Sequence, residues 1–156
     1  MKKLVSLFLI LFLLLAGCAQ NAPTITHTFD DLSIEIPENF INLSDDDFAA
    51  DLDFVFGLDP IAVNGLREEK AIFEAYGLEV DLQRYAQLII SSNNIRTELE
   101  EQDGILTFSY TSGGFTYVVT LWETDAAFWT VQAYCPTENY SKVKNDIWEI
   151  LSSVTV

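Results

Sequence analysis

Residues 105–135 read ILTFSYTSGGFTYVVTLWETDAAFWTVQAYC, and this stretch decides the fold of the chain. Its long runs are rich in aromatic and β-branched residues, which fit the pleated surface of a half-buried sheet. Gly113-Gly114 and Thr124-Asp125 interrupt these runs, and Asp103-Gly104, a preferred pair for a tight hairpin, comes just before them. The pattern therefore predicts an antiparallel meander of four strands, at Thr97–Gln102, Ile105–Tyr110, Phe115–Glu123 and Ala127–Cys135.

Segments outside the meander add further strands and two helices. Apolar residues alternate on both sides of Asp30-Asp31, which predicts an N-terminal hairpin. Apolar residues recur every three or four positions after Asp81 and again after Pro136, as expected of helices with one buried face. We therefore predict an α+β domain whose antiparallel sheet, the four-strand meander plus N-terminal strands, is sandwiched by helices. The additional elements are strands at Thr24–Phe29, Leu32–Ile36, Phe54–Phe56 and Ile61–Val63, and helices at Asp81–Ile90 and from Tyr140 onward.

The N-terminal segment resembles the signal peptide and lipobox of bacterial prolipoproteins. Lys2 and Lys3 precede the apolar run Leu4–Leu15, which continues into Leu15-Ala16-Gly17-Cys18. The run is shorter than the roughly 20 apolar residues that span a bilayer. An ordinary secretory signal is the alternative, but the cysteine at the cleavage point favours the lipoprotein interpretation.

This resemblance implies an organisation and a location for the chain. Residues 1–17 would be the signal peptide, residues 18–23 a lipid-anchored linker, and residues 24–156 a single α+β domain. The sulfur of Cys18 would carry a diacylglyceryl group with palmitate-type chains, and two acyl chains give stable attachment to a membrane. The expected location is the extracytoplasmic face of the cell membrane.

The order of the elements resembles the Mog1/PsbP-like fold found in small bacterial lipoproteins. The resemblance covers Thr24 to Val156 and includes a strand that begins Phe128-Trp129 and continues through Val131-Gln132. It implies a non-catalytic binding or assembly module. No site motif of the family maps onto this sequence, so the resemblance implies no functional residue.

The charge balance excludes some partners. The chain has 24 acidic and eight basic residues, a formal charge of −16. Removal of residues 1–17 leaves six basic residues against 24 acidic ones, a formal charge of −18. Nucleic acids and anionic lipids attract basic patches, so we expect no nucleic-acid partner. A basic or divalent-cation partner remains compatible with this charge, as does a surface whose acidity serves solubility alone.

Catalytic motifs are absent from the sequence. His27 is the single histidine, and no His-Glu-x-x-His, Cys-x-x-Cys or phosphate-binding glycine loop occurs. Cys135 ends an apolar strand and is expected to lie in the core. We therefore predict no catalytic residue and no enzyme, although a pair of carboxylates could still serve an envelope hydrolase.

An acidic segment is the candidate cation site. Calcium prefers several oxygen ligands, and irregular extracellular sites bind it at about 10⁻⁴–10⁻³ M. The order of residues does not match an EF-hand, and helix-start acids on a solvated surface are the alternative interpretation. The candidate calcium ligands are Asp45, Asp47, Asp51 and Asp53.

Together these observations predict an exported lipoprotein, anchored through Cys18, that acts as a non-catalytic binding or assembly module in the cell envelope. Its expected partner is an envelope protein of unknown identity, and no cofactor is expected apart from Ca²⁺. The main alternative is a cation- or small-ligand-binding envelope protein that uses the acidic segment or an aromatic pocket. An envelope hydrolase is the third hypothesis.

Overall fold

The computed structural model describes residues 22–44, 51–102 and 105–156. Cys18, Asp45, Asp47 and the Asp103-Gly104 pair therefore lie outside the described residues. In chain order the elements are strands β1 (Thr24–Phe29), β2 (Leu32–Pro37), β3 (Ile41–Asn42), β4 (Phe54–Leu58) and β5 (Ile61–Glu69), helices α1 (Lys70–Ala75) and α2 (Leu82–Ser92), strands β6 (Glu100–Gln102), β7 (Ile105–Ser112), β8 (Phe115–Glu123) and β9 (Ala127–Pro136), a 3₁₀ turn (Thr137–Asn139) and helix α3 (Tyr140–Ser152).

The predicted meander supplies four of the seven strands of a larger antiparallel sheet in the described part of the chain. Strands β6, β7, β8 and β9 pair in sequence order, and β5 then pairs with β9, so that the sheet order is β3-β4-β5-β9-β8-β7-β6. Gly113 and Gly114 have φ angles of 59° and 85° in the turn between β7 and β8, a left-handed conformation that glycine adopts without a steric penalty. The meander is therefore confirmed, and the two glycines of the turn between β7 and β8 are explained by backbone geometry.

The N-terminal hairpin is a separate two-stranded sheet made of β1 and β2. Leu32, Ile34 and Ile36 on β2 are buried in the same core as helix α3. An isolated bridge between Ser33 and Thr155 ties the hairpin to the end of the chain. The hairpin thus packs over the large sheet beside α3 and extends no edge of that sheet.

Two cores occupy the two faces of the large sheet. One contains Trp129, Val131 and Cys135 of β9 together with Ile147 and Leu151 of α3. The other core lies under α2, and its buried residues are Tyr85, Ala86, Leu106, Phe108, Val119, Leu121 and Phe128. The predicted α+β class, an antiparallel sheet sandwiched by helices, is therefore confirmed.

Helix α1 is an element that the sequence does not predict. It has six residues, none of them buried, and Glu69 at its N-terminus makes no side-chain capping bond. Across the three ranges that the structure describes, no helix is long and apolar enough to cross a membrane.

Candidate functional site

A groove of about 240 Å³ lies between the N-terminal hairpin and helix α3. Its floor is apolar, with Phe40 from the loop after β2, Ile61 from β5 and Ile150 from α3. Leu58, at the end of β4, forms an apolar wall and keeps 37% of its surface exposed. The groove therefore offers accessible apolar surface at the point where four chain segments meet.

Carboxylates surround this apolar floor. Glu35 comes from β2, and Asp146 and Glu149 come from α3. Ile147, Ile150 and Leu151 form the buried stripe of α3, so Asp146 and Glu149 lie at the border of that stripe. A side chain at this border can face the apolar floor and solvent together, which places negative charge around the mouth of the groove.

The two walls of the groove are held together at Ser153. The backbone N–H of Glu35 donates to Ser153 Oγ at 2.9 Å. Ser153 Oγ in turn donates to the carbonyl of Ile150 at 2.6 Å. Because these bonds join β2 to the C-terminal end of α3, the separation of the walls is fixed by the fold.

The chain enters the domain at this groove. Ala22, the first described residue, lines the groove together with Thr24 of β1. The N–H of Glu38 donates to the carbonyl of Pro23 at 2.8 Å, which holds the entering segment against the end of β2. Cys18 precedes Ala22 by four residues, a span of at most about 14 Å in an extended chain.

Asp31 forms a second polar cluster, at the turn of the hairpin. Its carboxylate accepts from Trp129 Nε1 at 2.7 Å, Thr124 Oγ1 at 2.5 Å and Arg67 Nε at 3.3 Å. Burial alone would raise the pKa of Asp31, but the hydrogen bonds from Thr124, Trp129 and Arg67 outweigh it and lower the pKa to about 2. A carboxylate held ionised by three donors suits a structural clamp and does not suit a general acid.

Three tyrosines form a ladder across β7, β8 and β9. The ring centroids of Tyr110 and Tyr117 are 4.7 Å apart and those of Tyr117 and Tyr134 are 5.2 Å apart, both pairs stacked. The pKa values of Tyr110 and Tyr134 are raised, first by burial and then by the neighbouring Tyr117. Because the rings stack on one another, much of their flat surface already packs within the protein.

The other reactive side chains are held in structural roles. Burial raises the pKa of the Cys135 thiol, which is fully buried in the core as predicted. Tyr85 donates to Glu68 Oε2 at 2.6 Å, and its pKa is raised first by burial and then by that carboxylate. The ring of His27 packs against Phe56, with centroids 4.6 Å apart.

The structure places half of the predicted calcium ligands. Asp51 and Asp53 are exposed just before β4, and Asp53 Oδ2 accepts from the backbone N–H of Arg67 at 2.6 Å. No group of three or more metal-binding side chains occurs within residues 22–44, 51–102 and 105–156. Since Asp45 and Asp47 are outside these ranges, the calcium site stays a prediction.

Sequence reasoning does not find the groove, because its residues come from four separated segments. The detectable signal is the position of Asp146 and Glu149 beside the apolar stripe of α3. That signal is weak by itself, since acids commonly flank the buried stripe of a surface helix.

Comparison with solved structures shows the fold of this domain. Cyanobacterial PsbP (CyanoP) from Synechocystis sp. PCC 6803 is similar with a TM-score of 0.54 and 14% sequence identity, over 91% of this chain and 98% of that one. A protein from Bacteroides thetaiotaomicron VPI-5482 is similar with a TM-score of 0.50 and 9% identity, over 88% of this chain and 49% of that one. No protein-family model and no curated protein matches the sequence. The likeness confirms the predicted PsbP-like fold, and at these identities it extends to the fold alone.

Proposed function

We propose that this chain is an exported lipoprotein, anchored to the membrane through Cys18, whose domain is a non-catalytic binding or assembly module of the cell envelope. The observation that carries the proposal is the position of the groove. Its lining includes Ala22, four residues after the lipidation cysteine. An anchored Cys18 would hold the groove within about 14 Å of its lipid attachment point. A protein at the same membrane surface could then reach it.

The way the reactive groups are used supports the non-catalytic part of the proposal. The Asp31 carboxylate is ionised and accepts three hydrogen bonds, so it has no proton to give at neutral pH. The Cys135 thiol is buried, and its raised pKa disfavours the nucleophilic thiolate. These groups stabilise the domain, whereas the groove presents apolar surface and charge suited to contact with a partner.

Two experiments in intact cells test the proposal. Labelled palmitate should be incorporated by the native chain and not by a Cys18→Ala variant. A photo-crosslinking amino acid at Leu58, in the groove, should capture a partner that is lost in the Cys18→Ala background. The matched control is the same amino acid at Ile72, which is 53% exposed on α1. Absence of palmitate labelling would refute the anchor, and identical captures from both positions would refute the groove as the binding site.

A further inference from the structure

We infer that the groove binds a short basic segment of a membrane protein, with an apolar side chain inserted between lysines or arginines; the inference rests on the proposed function and specifies its partner. The segment would lie on the extracytoplasmic side of the membrane, within reach of the anchored groove. Three properties of the groove support this partner: its charge, its size and its distance from Cys18.

The negative charge of the groove favours a positively charged partner. Glu35 and Asp146 contribute carboxylates, and none of the described residues that line the groove is a lysine, arginine or histidine. Anionic lipid headgroups and acidic segments would be repelled at this rim. Lysine and arginine flanking an inserted side chain would instead place positive charge next to the carboxylates.

The volume of the groove suits one inserted side chain better than a small-molecule ligand. Its volume of about 240 Å³ is below the roughly 300–1,000 Å³ of typical small-molecule sites. Phe40, Ile61 and Ile150 provide the apolar floor, and Leu58 is exposed enough to contact an entering side chain. The groove is therefore suited to one anchoring apolar side chain.

Because Cys18 lies only four residues before the groove, weak binding is sufficient to hold a partner that is confined to the same membrane. One inserted side chain with exposed ion pairs gives low affinity, because exposed pairs contribute little. Two molecules confined to one membrane have an effective concentration that can reach the millimolar range when the tether matches the distance. The tether of at most about 14 Å therefore restricts the partner to a segment at the membrane surface.

The binding experiment uses the full lipidated protein in vesicles of neutral phosphatidylcholine. The probe is a fluorescent ten-residue peptide with a central Leu-Phe pair flanked by lysines, and its binding is followed by anisotropy. A peptide with glutamates in place of the lysines tests charge, and one with serines in place of Leu-Phe tests insertion. We expect both control peptides to bind at least about fivefold more weakly.

Matched variants separate the groove from general attraction to an acidic protein. The E35Q/D146N variant should weaken binding of the basic peptide at least about fivefold, whereas E98Q/E100Q, with the same charge change at exposed positions near β6, should change it less than about twofold. Leu58→Ala should weaken binding and Ile72→Ala should not. Equal losses in the two charge variants, or equal binding of the glutamate peptide, would overturn the inference.

The results that overturn the inference differ from those that refute the proposed function. If the Leu58 crosslink in cells maps to a segment of a membrane protein that is rich in lysine or arginine, both the inference and the proposed function are supported. A crosslink to a neutral or acidic protein segment, or to lipid, overturns the basic partner. Loss of that capture in the Cys18→Ala background still supports an anchored binding module. Failure of palmitate labelling refutes the proposed function whatever the peptide result.

Discussion

Replacement of Asp31 with asparagine is expected to destabilise the domain, because it removes the negative charge of a carboxylate that accepts three hydrogen bonds at the hairpin turn. Asp31 joins the hairpin to Trp129 on β9 and to Thr124 at the turn that precedes that strand. Trp129 is fully buried, so its indole N–H depends on this acceptor. Asparagine keeps the shape and one of the two acceptor oxygens, so the variant removes the charge and one accepting atom with little change in packing.

The magnitude follows from the pKa of the carboxyl group. Its pKa falls from the ordinary 3.8 to about 2 in the folded protein, and each pKa unit corresponds to about 1.4 kcal/mol. The side chain keeps 31% of its surface exposed, so solvent screening reduces the resulting figure to about 1–2 kcal/mol. Because the folded-state pKa is the lower one, this stabilisation is present in full above about pH 5 and is lost as the pH falls from about 4 through the folded-state pKa of about 2.

Urea unfolding followed by tryptophan fluorescence at pH 7 and pH 2 measures this contribution. Asp31→Asn should lower the free energy of unfolding by about 1–2 kcal/mol at pH 7. The difference between the two proteins should shrink at pH 2, close to the folded-state pKa, where about half of the folded molecules carry a protonated and uncharged Asp31 carboxyl. Asp30→Asn is the matched control, because the Asp30 side chain is 74% exposed and 4.0 Å from Arg67 Nε. Equal effects of the two substitutions, or a difference for Asp31→Asn that does not change with pH, would refute the reasoning.

Three further predictions concern packing, thiol chemistry and cation binding. Gly65→Ala should destabilise the domain by about 1–3 kcal/mol, because the added Cβ would overlap the buried ring of Phe54. Gly57→Ala, which meets only the Leu43 side chain, should cost less in the same thermal melt. Cys135 should resist a thiol reagent in the folded protein and react in urea, because it is fully buried; fast reaction of the native protein would contradict its core position. Calcium at 10 mM should stabilise the protein by about 1.5–3 kcal/mol if it binds at about 10⁻⁴–10⁻³ M. The predicted ligands are Asp45, Asp47, Asp51 and Asp53, and a melting temperature that calcium leaves unchanged would refute this site.

Elements with local signals are predictable from the sequence. The turn at Gly113-Gly114 requires positive φ angles, and glycine supplies them. Helix α2 begins where the side chain of Asp81 accepts from the N–H of Arg84 at 2.7 Å, a capping bond typical of aspartate at this position. In both cases the determining interaction lies within a few residues, so the sequence pattern is sufficient.

Short elements and distant contacts are not predictable in this way. Helix α1 has only six residues and none of them is fully buried, so it is too short for a periodicity argument. Asp31 looks like a turn residue in the sequence, yet its partners Thr124 and Trp129 are 93 and 98 residues away. The role of this carboxylate emerges only when the hairpin packs on the large sheet.

The groove illustrates the same limit for a candidate binding site. The sequence predicts the hairpin and helix α3 separately, but the bond that fixes their spacing joins Glu35 to Ser153, 118 residues apart. Asp146 would be an ordinary surface acid if α3 did not meet the exposed apolar wall at Leu58. The strong negative charge of the chain therefore does not by itself identify a partner. The arrangement of carboxylates around an accessible apolar floor instead favours a partner that is both basic and apolar. Charge-matched variants inside and outside the groove measure how much this arrangement contributes to binding.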